Sequence, residues 1–142
     1  MFMGTYEHSL DAKGRVIIPA KLRDELGSSF VATLGMDGCL YAYPMNEWHS
    51  FLEKLEKLPG NKDARTLQRM FLANAATVDV DKQGRALIPT PLREKAGLDK
   101  DVVFIGVLSK IEVWSKAKYE GLTDSGDMDE IADRMSEYGL SF

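Results

Sequence analysis

Cysteine is all but absent from this chain: Cys39 is the single one among 142 residues. No internal disulfide can form, and no CxxC pair or second thiol is available for a zinc site. Cys39 therefore reads as a small buried hydrophobe in a strand, and a reducing cytosol as the fitting compartment. Histidine is nearly as scarce, with only His8 and His49. No GxSxG, HExxH or P-loop pattern occurs, and the possible nucleophiles Ser9 and Cys39 have no partner histidine that the sequence nominates. The chain does not read as an enzyme, and no cofactor, metal or small-molecule substrate is expected. Long apolar runs are missing too. Met1 to Leu10 carries Glu7 and His8 and lacks a basic start, so neither export nor membrane insertion is expected.

Basic charge is short overall, since the formal net is −4, whereas many DNA-binding domains are plainly basic. The distribution matters more than the sum. Between Glu120 and Phe142 stand seven acids, Glu120, Asp124, Asp127, Asp129, Glu130, Asp133 and Glu137, against Arg134 alone, which leaves the preceding 119 residues at +2. The acidity belongs to a C-terminal segment that reads as a solvated helix face, and the rest is free to present a basic face to phosphates.

What is present is an internal repeat. The run DAKGRVIIPAKLRDELG from Asp11 to Gly27 returns 70 residues later as DKQGRALIPTPLREKAG from Asp81 to Gly97, with eight of 17 positions identical. The likeness continues more faintly from Leu40-Tyr41-Ala42-Tyr43 to Ile111-Glu112-Val113-Trp114. Two units are expected, 5–75 and 76–142, the first with a helical extension and the second with the acidic helical segment. Neither histidine recurs between them, which further weakens any catalytic reading of either.

Each unit opens on alternation, Tyr6, His8 and Leu10 in one and Ala76, Val78 and Val80 in the other, as in half-buried strands. Gly14 and Gly84 supply the positive φ of a tight reversal, after which Val16-Ile17-Ile18 and Ala86-Leu87-Ile88 restart an extended segment. Pro19 and Pro89 mark the start of a helix of about two turns, with Leu22/Leu26 and Leu92/Ala96 on one face and Gly27 or Gly97 as a left-handed cap. Hairpins follow, Phe30–Leu34 with Cys39–Tyr43 and Val102–Leu108 with Ile111–Trp114. Trp48, Leu52, Leu55 and Leu58 then adopt helical spacing up to Pro59-Gly60, and Leu67, Met70, Phe71 and Asn74 a second helix. Met128, Ile131, Met135 and Tyr138 take matching spacing in the second unit. These apolar stripes read as core or subunit-interface packing.

The repeated D-x-x-G-R turn is the candidate site. Arginine's planar, permanently charged fork grips a phosphate or bonds bidentately to a guanine edge, and a turn projects it off the sheet. Lys13 and Lys82 add less directional charge. Asp11 and Asp81 are poor phosphate ligands, so their expected work is to accept turn amide hydrogens or hold the fork. The alternative is an Asp–Arg pair that only shapes the turn. A chain that shows the same cationic turn twice favours a periodic polyanion, of which duplex DNA is the commonest. Arg23 and Arg93 also recur, either reaching the flanking DNA backbone or, with Asp24, Glu25 and Glu94 beside them, forming a solvated helix face.

MFMGTYEHSLDAKGRVIIPAKLR, the repeat distance, DKQGR, LYAYPMNEW and IEVWSKAKY together resemble the MraZ family, over nearly the whole chain. The resemblance implies an α+β fold of tandem SpoVT-AbrB swapped-hairpin units that form a pseudo-two-fold β-barrel with peripheral helices. It implies a cytoplasmic, nucleoid-associated transcriptional regulator, a repressor of its own operon in the cell division and cell wall cluster. Its partners would be double-stranded DNA at short direct repeats in the promoter, and itself as a ring-shaped homo-oligomer. Carried onto this sequence, the family's D-x-x-x-R motifs fall on Asp11 with Arg15 and on Asp81 with Arg85. The expected DNA-facing set is Asp11, Lys13, Gly14, Arg15, Asp81, Lys82, Gly84 and Arg85. Gln83 stands where the first copy has Lys13, so the two turns need not contact DNA equally. A reading from another class is a protein-interaction module like the antitoxins of the AbrB-type fold, with the acidic segment as the binding arm. In a third, a plain assembly protein, Arg15 is dispensable.

Overall fold

The computed structural model describes residues 1–123 and 126–141, with nothing said of the Thr123 side chain. Asp124, one of the acids of the C-terminal segment, lies outside the described residues.

The chain runs twice through the same order of elements. The first pass is β1 (Thr5–Ser9), β2 (Arg15–Ile17), α1 (Ala20–Leu26), β3 (Ser29–Leu34), β4 (Leu40–Pro44), α2 (Met45–Glu56) and α3 (Lys62–Ala73). The second is β5 (Ala76–Asp79), β6 (Arg85–Leu87), α4 (Thr90–Ala96), β7 (Asp101–Val107), β8 (Lys110–Ser115), α5 (Lys116–Thr123) and α6 (Met128–Met135). Both expected hairpins form, β3 with β4 and β7 with β8, each antiparallel.

The two passes are interleaved. Strand order in the six-stranded sheet is β1-β7-β8-β4-β3-β5, which reads the same from either end once each strand is exchanged for its counterpart in the other pass. The first strand of each copy pairs with the third strand of the other, β1 with β7 and β5 with β3. The expected strand, turn, strand element does not fold back into its own ladder. Instead β2 and β6 leave their copies and pair antiparallel with each other as a separate two-stranded ribbon. The eight strands of the described residues thus lie in two sheets and not in one closed hydrogen-bonded barrel.

This placement explains the sequence pattern strand by strand. β4 is buried along its whole length, β3 and β8 over most of theirs and β7 at Val102, Val103 and Phe104, because the large sheet is covered on both faces; hence their near-continuous apolar runs. One face packs Phe30, Ala32, Leu40, Val102, Phe104 and Ile111 against Val16, Ile18, Leu22, Leu26 and their counterparts Ala86, Ile88, Leu92 and Ala96. The other packs Val31, Tyr41, Tyr43, Val103 and Trp114 against Trp48 and Leu55 of α2 and Phe71 of α3. Edge strands β1 and β5 alternate because only one of their faces meets the core. Thr33, fully buried, is satisfied by donating through Oγ1 to the Phe71 carbonyl at 2.7 Å, which pins α3 to the sheet.

The short helices start after Pro19 and Pro89, as their spacing predicts, and end at Gly27 and Gly97. Gly97 is left-handed, whereas Gly27 takes φ 88 and ψ 177, a region that glycine alone visits freely. Helix α5 has no counterpart in the sequence reading. It is only weakly amphipathic and contains Gly121, so no periodic signal marks it. Among the described residues, no helix is long and apolar enough to cross a membrane.

Candidate functional site

Each D-x-x-G-R turn is built by its aspartate. Asp11 Oδ1 accepts the backbone amides of Lys13 and Arg15, both at 2.9 Å, while Oδ2 accepts Arg15 Nε at 2.7 Å. The second copy repeats this: Asp81 Oδ1 takes the amides of Gln83 and Arg85, and Oδ2 takes Arg85 Nε at 2.9 Å. One carboxylate thus closes an Asx turn and braces an arginine fork at the same time. The amide of the arginine, foremost, against desolvation acting the other way, and then its guanidinium and the Lys13 or Gln83 amide, hold each carboxyl below its ordinary range. Gly14 and Gly84 have φ of 84° and 80°, the reversal their sequence position requires.

The ribbon then brings the two turns together. In its register Arg15 stands opposite Leu87 and Ile17 opposite Arg85, with the Val16–Ala86 pair between. Val16 and Ala86 face the core, so Arg15, Ile17, Arg85 and Leu87 share the outward face. Arg15 and Arg85 are diagonal neighbours, roughly 7–8 Å apart at the backbone. Seventy residues of sequence separation become one compact cationic patch. Each fork is held through Nε, and its two Nη groups have no partner among the described residues. Lys13 and Lys82 are exposed on the flanking turns.

Two members of this face are missing from the sequence-based set. Ile17 and Leu87, the last residues of β2 and β6, are 45% and 54% exposed. Alternation within Val16-Ile17-Ile18 held the signal: if the first and third are buried, the second faces out.

Arg23 and Arg93 lie neither on this outward face nor on a solvated helix surface. Both are half-buried, with Nε shielded, and each guanidinium sits against the other copy's turn. His8 packs edge-on to Phe104 at 6.0 Å and His49 is exposed on α2. Cys39 is buried just ahead of β4, where burial, then Glu112 and Asp37, push its thiol up to about 12. Among the described residues, no group of three His, Cys, Asp or Glu side chains could hold a metal ion.

Fold and site define a class: a duplicated α+β protein whose copies share one sheet and meet in an arginine-bearing β-ribbon. A family model described as "MraZ protein, putative antitoxin-like" matches the chain twice, over residues 1–70 and 71–137. A protein named transcriptional regulator MraZ from Lachnoclostridium phytofermentans is 63% identical over the full length of both chains. Proteins of the same name from Clostridium beijerinckii and Acetivibrio thermocellus are 54% and 52% identical, over 99% of this chain and all of theirs. The chain belongs to the MraZ family.

Proposed function

We propose that this protein is a transcriptional regulator that binds duplex DNA through the β2–β6 ribbon. The observation that carries the reading is the ribbon's outward face, with two braced arginines set diagonally between two exposed aliphatic side chains. The B-DNA major groove, about 12 Å wide, admits a two-stranded ribbon. Within it the free Nη edges of Arg15 and Arg85 suit guanine or phosphate oxygens, and Ile17 and Leu87 suit thymine methyl groups. Lys13 and Lys82 reach the flanking phosphates, Asp11 and Asp81 orient the forks, and Gly14 and Gly84 permit the turn. Gln83 in place of a lysine makes the second turn the weaker phosphate contact.

The two units, 5–75 and 76–142, are read as swapped hairpins around a pseudo-two-fold barrel. The exchange of β1 and β5 and the ribbon spanning from one copy to the other support this. Family membership supports the rest: a ring-shaped homo-oligomer, associated with the nucleoid, acts as repressor of its own cell division and cell wall operon by seating several ribbons on direct repeats in the promoter. Avidity then multiplies modest single contacts. The test is fluorescence anisotropy with DNA from immediately upstream of the gene, titrated with salt. Tight, salt-steep binding lost in Arg15→Ala/Arg85→Ala is expected, and equal, weak binding to scrambled DNA, unmoved by the double variant, would sink the reading.

One feature favours a second role as a protein-interaction module. Helix α6 leaves Met128 and the following Tyr138 78% and 79% exposed beside Asp129, Glu130 and Asp133. Deleting residues 123–142 separates the roles, since partner capture lost with DNA binding intact would assign the segment to protein contacts.

A further inference from the structure

Arg23 and Arg93 are the repeated arginines that the proposed DNA face leaves unused, and their surroundings are specific. A methyl group placed on Gly84 would overlap the Arg23 guanidinium, and one on Gly14 would overlap that of Arg93. Each guanidinium therefore lies directly on the turn glycine of the opposite copy. The same glycines are held through the backbone. The Ile18 amide donates to the Gly84 carbonyl at 2.8 Å, and the Ile88 amide to the Gly14 carbonyl at 3.1 Å. Arg23 Nη2 donates back to the Ile18 carbonyl at 2.8 Å, so Ile18 ties strand, arginine and the foreign turn into one unit. Arg93 Nη2 instead donates to Thr90 Oγ1 at 2.7 Å. In both arginines Nε is buried without a hydrogen-bond partner among the described residues, a cost that side chains free to swing into solvent would not bear.

We infer that Arg23 and Arg93 are reciprocal positioning residues, each clamping the D-x-x-G-R turn of the other copy and so setting the spacing of Arg15 and Arg85. They act through the turn and not by touching phosphate. The glycine of the motif then has two duties, the positive φ and the room for a guanidinium from across the ribbon. The effect on DNA rests on the proposed binding function; the clamp itself does not.

Two readouts on the full chain test this. Hydrogen exchange is the first. Arg23→Ala should speed exchange of the amides from Asp81 to Arg85 by at least about tenfold while the Asp11 to Arg15 turn is unchanged, and Arg93→Ala should do the reverse. The second is the salt dependence of DNA binding. A lost phosphate contact lowers the slope of log K against log salt by about 0.9, so Arg15→Ala is expected to flatten the line and Arg23→Ala to weaken affinity along a parallel one. Arg23→Lys keeps charge without the planar fork. It serves if the alanine variant does not fold, and it should loosen the 81–85 turn just the same. Unchanged exchange in the crossed turn, or a flattened salt line with Lys restoring it, would overturn the clamp in favour of a backbone contact. Should Arg15→Ala leave DNA binding untouched, the DNA reading fails and the exchange arm still decides the clamp.

Discussion

Asp11 and Asp81 do their work as carboxylates, and pH exposes it. Their carboxyls are depressed in the folded chain, so the stabilisation they lend is complete above the ordinary aspartate range near pH 4 and is lost as pH falls through the lower folded value. Asp11→Asn should therefore lower the denaturation midpoint at pH 7, and the gap from the unaltered protein should close on acidification below about pH 4. A gap that persists at low pH would mean the aspartate acts by shape alone. Cys39 behaves in the opposite sense. Its thiol is buried and pushed up to about 12, so the neutral form is the native one and its contribution fades only as strongly alkaline pH is approached. Iodoacetamide at pH 8 should leave native Cys39 unlabelled and modify it fully in urea; prompt native labelling would contradict its burial.

At the scale of elements, the two kinds of helix are held differently. Helices α1 and α4 are seven residues each, too short to persist alone, and depend on burying Leu22, Leu26, Leu92 and Ala96 beneath the ribbon. Helix α3 has its own start signal, since Asn61 Oδ1 caps the Ala64 amide at 2.9 Å. Asn61→Ala should cost about 1 kcal/mol in urea unfolding without changing DNA affinity, because α3 packs on the sheet face away from the ribbon. The ribbon responds in the opposite way. Ile17→Ser/Leu87→Ser removes side chains that are about half exposed, so stability should hold while discrimination between thymine-bearing sites and their uracil analogues shrinks. Equal discrimination before and after would show that these two side chains do not meet the bases.

Interleaving dominates at the scale of the whole molecule. Among the described residues, strand β1 has its only ladder with β7, β2 only with β6, and β5 only with β3. Neither copy holds the partners that these exchanged strands need, and the core beneath the ribbon draws on both. The chain should unfold in one cooperative transition. Residues 1–75 alone should be unfolded or pair with a second copy of themselves, and a folded monomer of that fragment by size exclusion and NMR would refute the interdependence.

By itself the sequence determined what depends on neighbours along the chain. Glycine at a reversal, proline before a helix, period-two and period-3.6 patterns, and an aspartate four residues ahead of an arginine all act through local backbone geometry, and the copied 17-residue run announced them twice. Tertiary structure alone decided which strands meet across the two copies. A hairpin and an exchanged strand bury the same alternating side chains, so pattern cannot tell them apart; only closure of the shared core selects β1 with β7 and β2 with β6. That choice put Arg15 beside Arg85, turned Ile17 and Leu87 outward, and laid Arg23 and Arg93 on glycines of the opposite copy. These contacts depend on distances through space, which no spacing along the chain records.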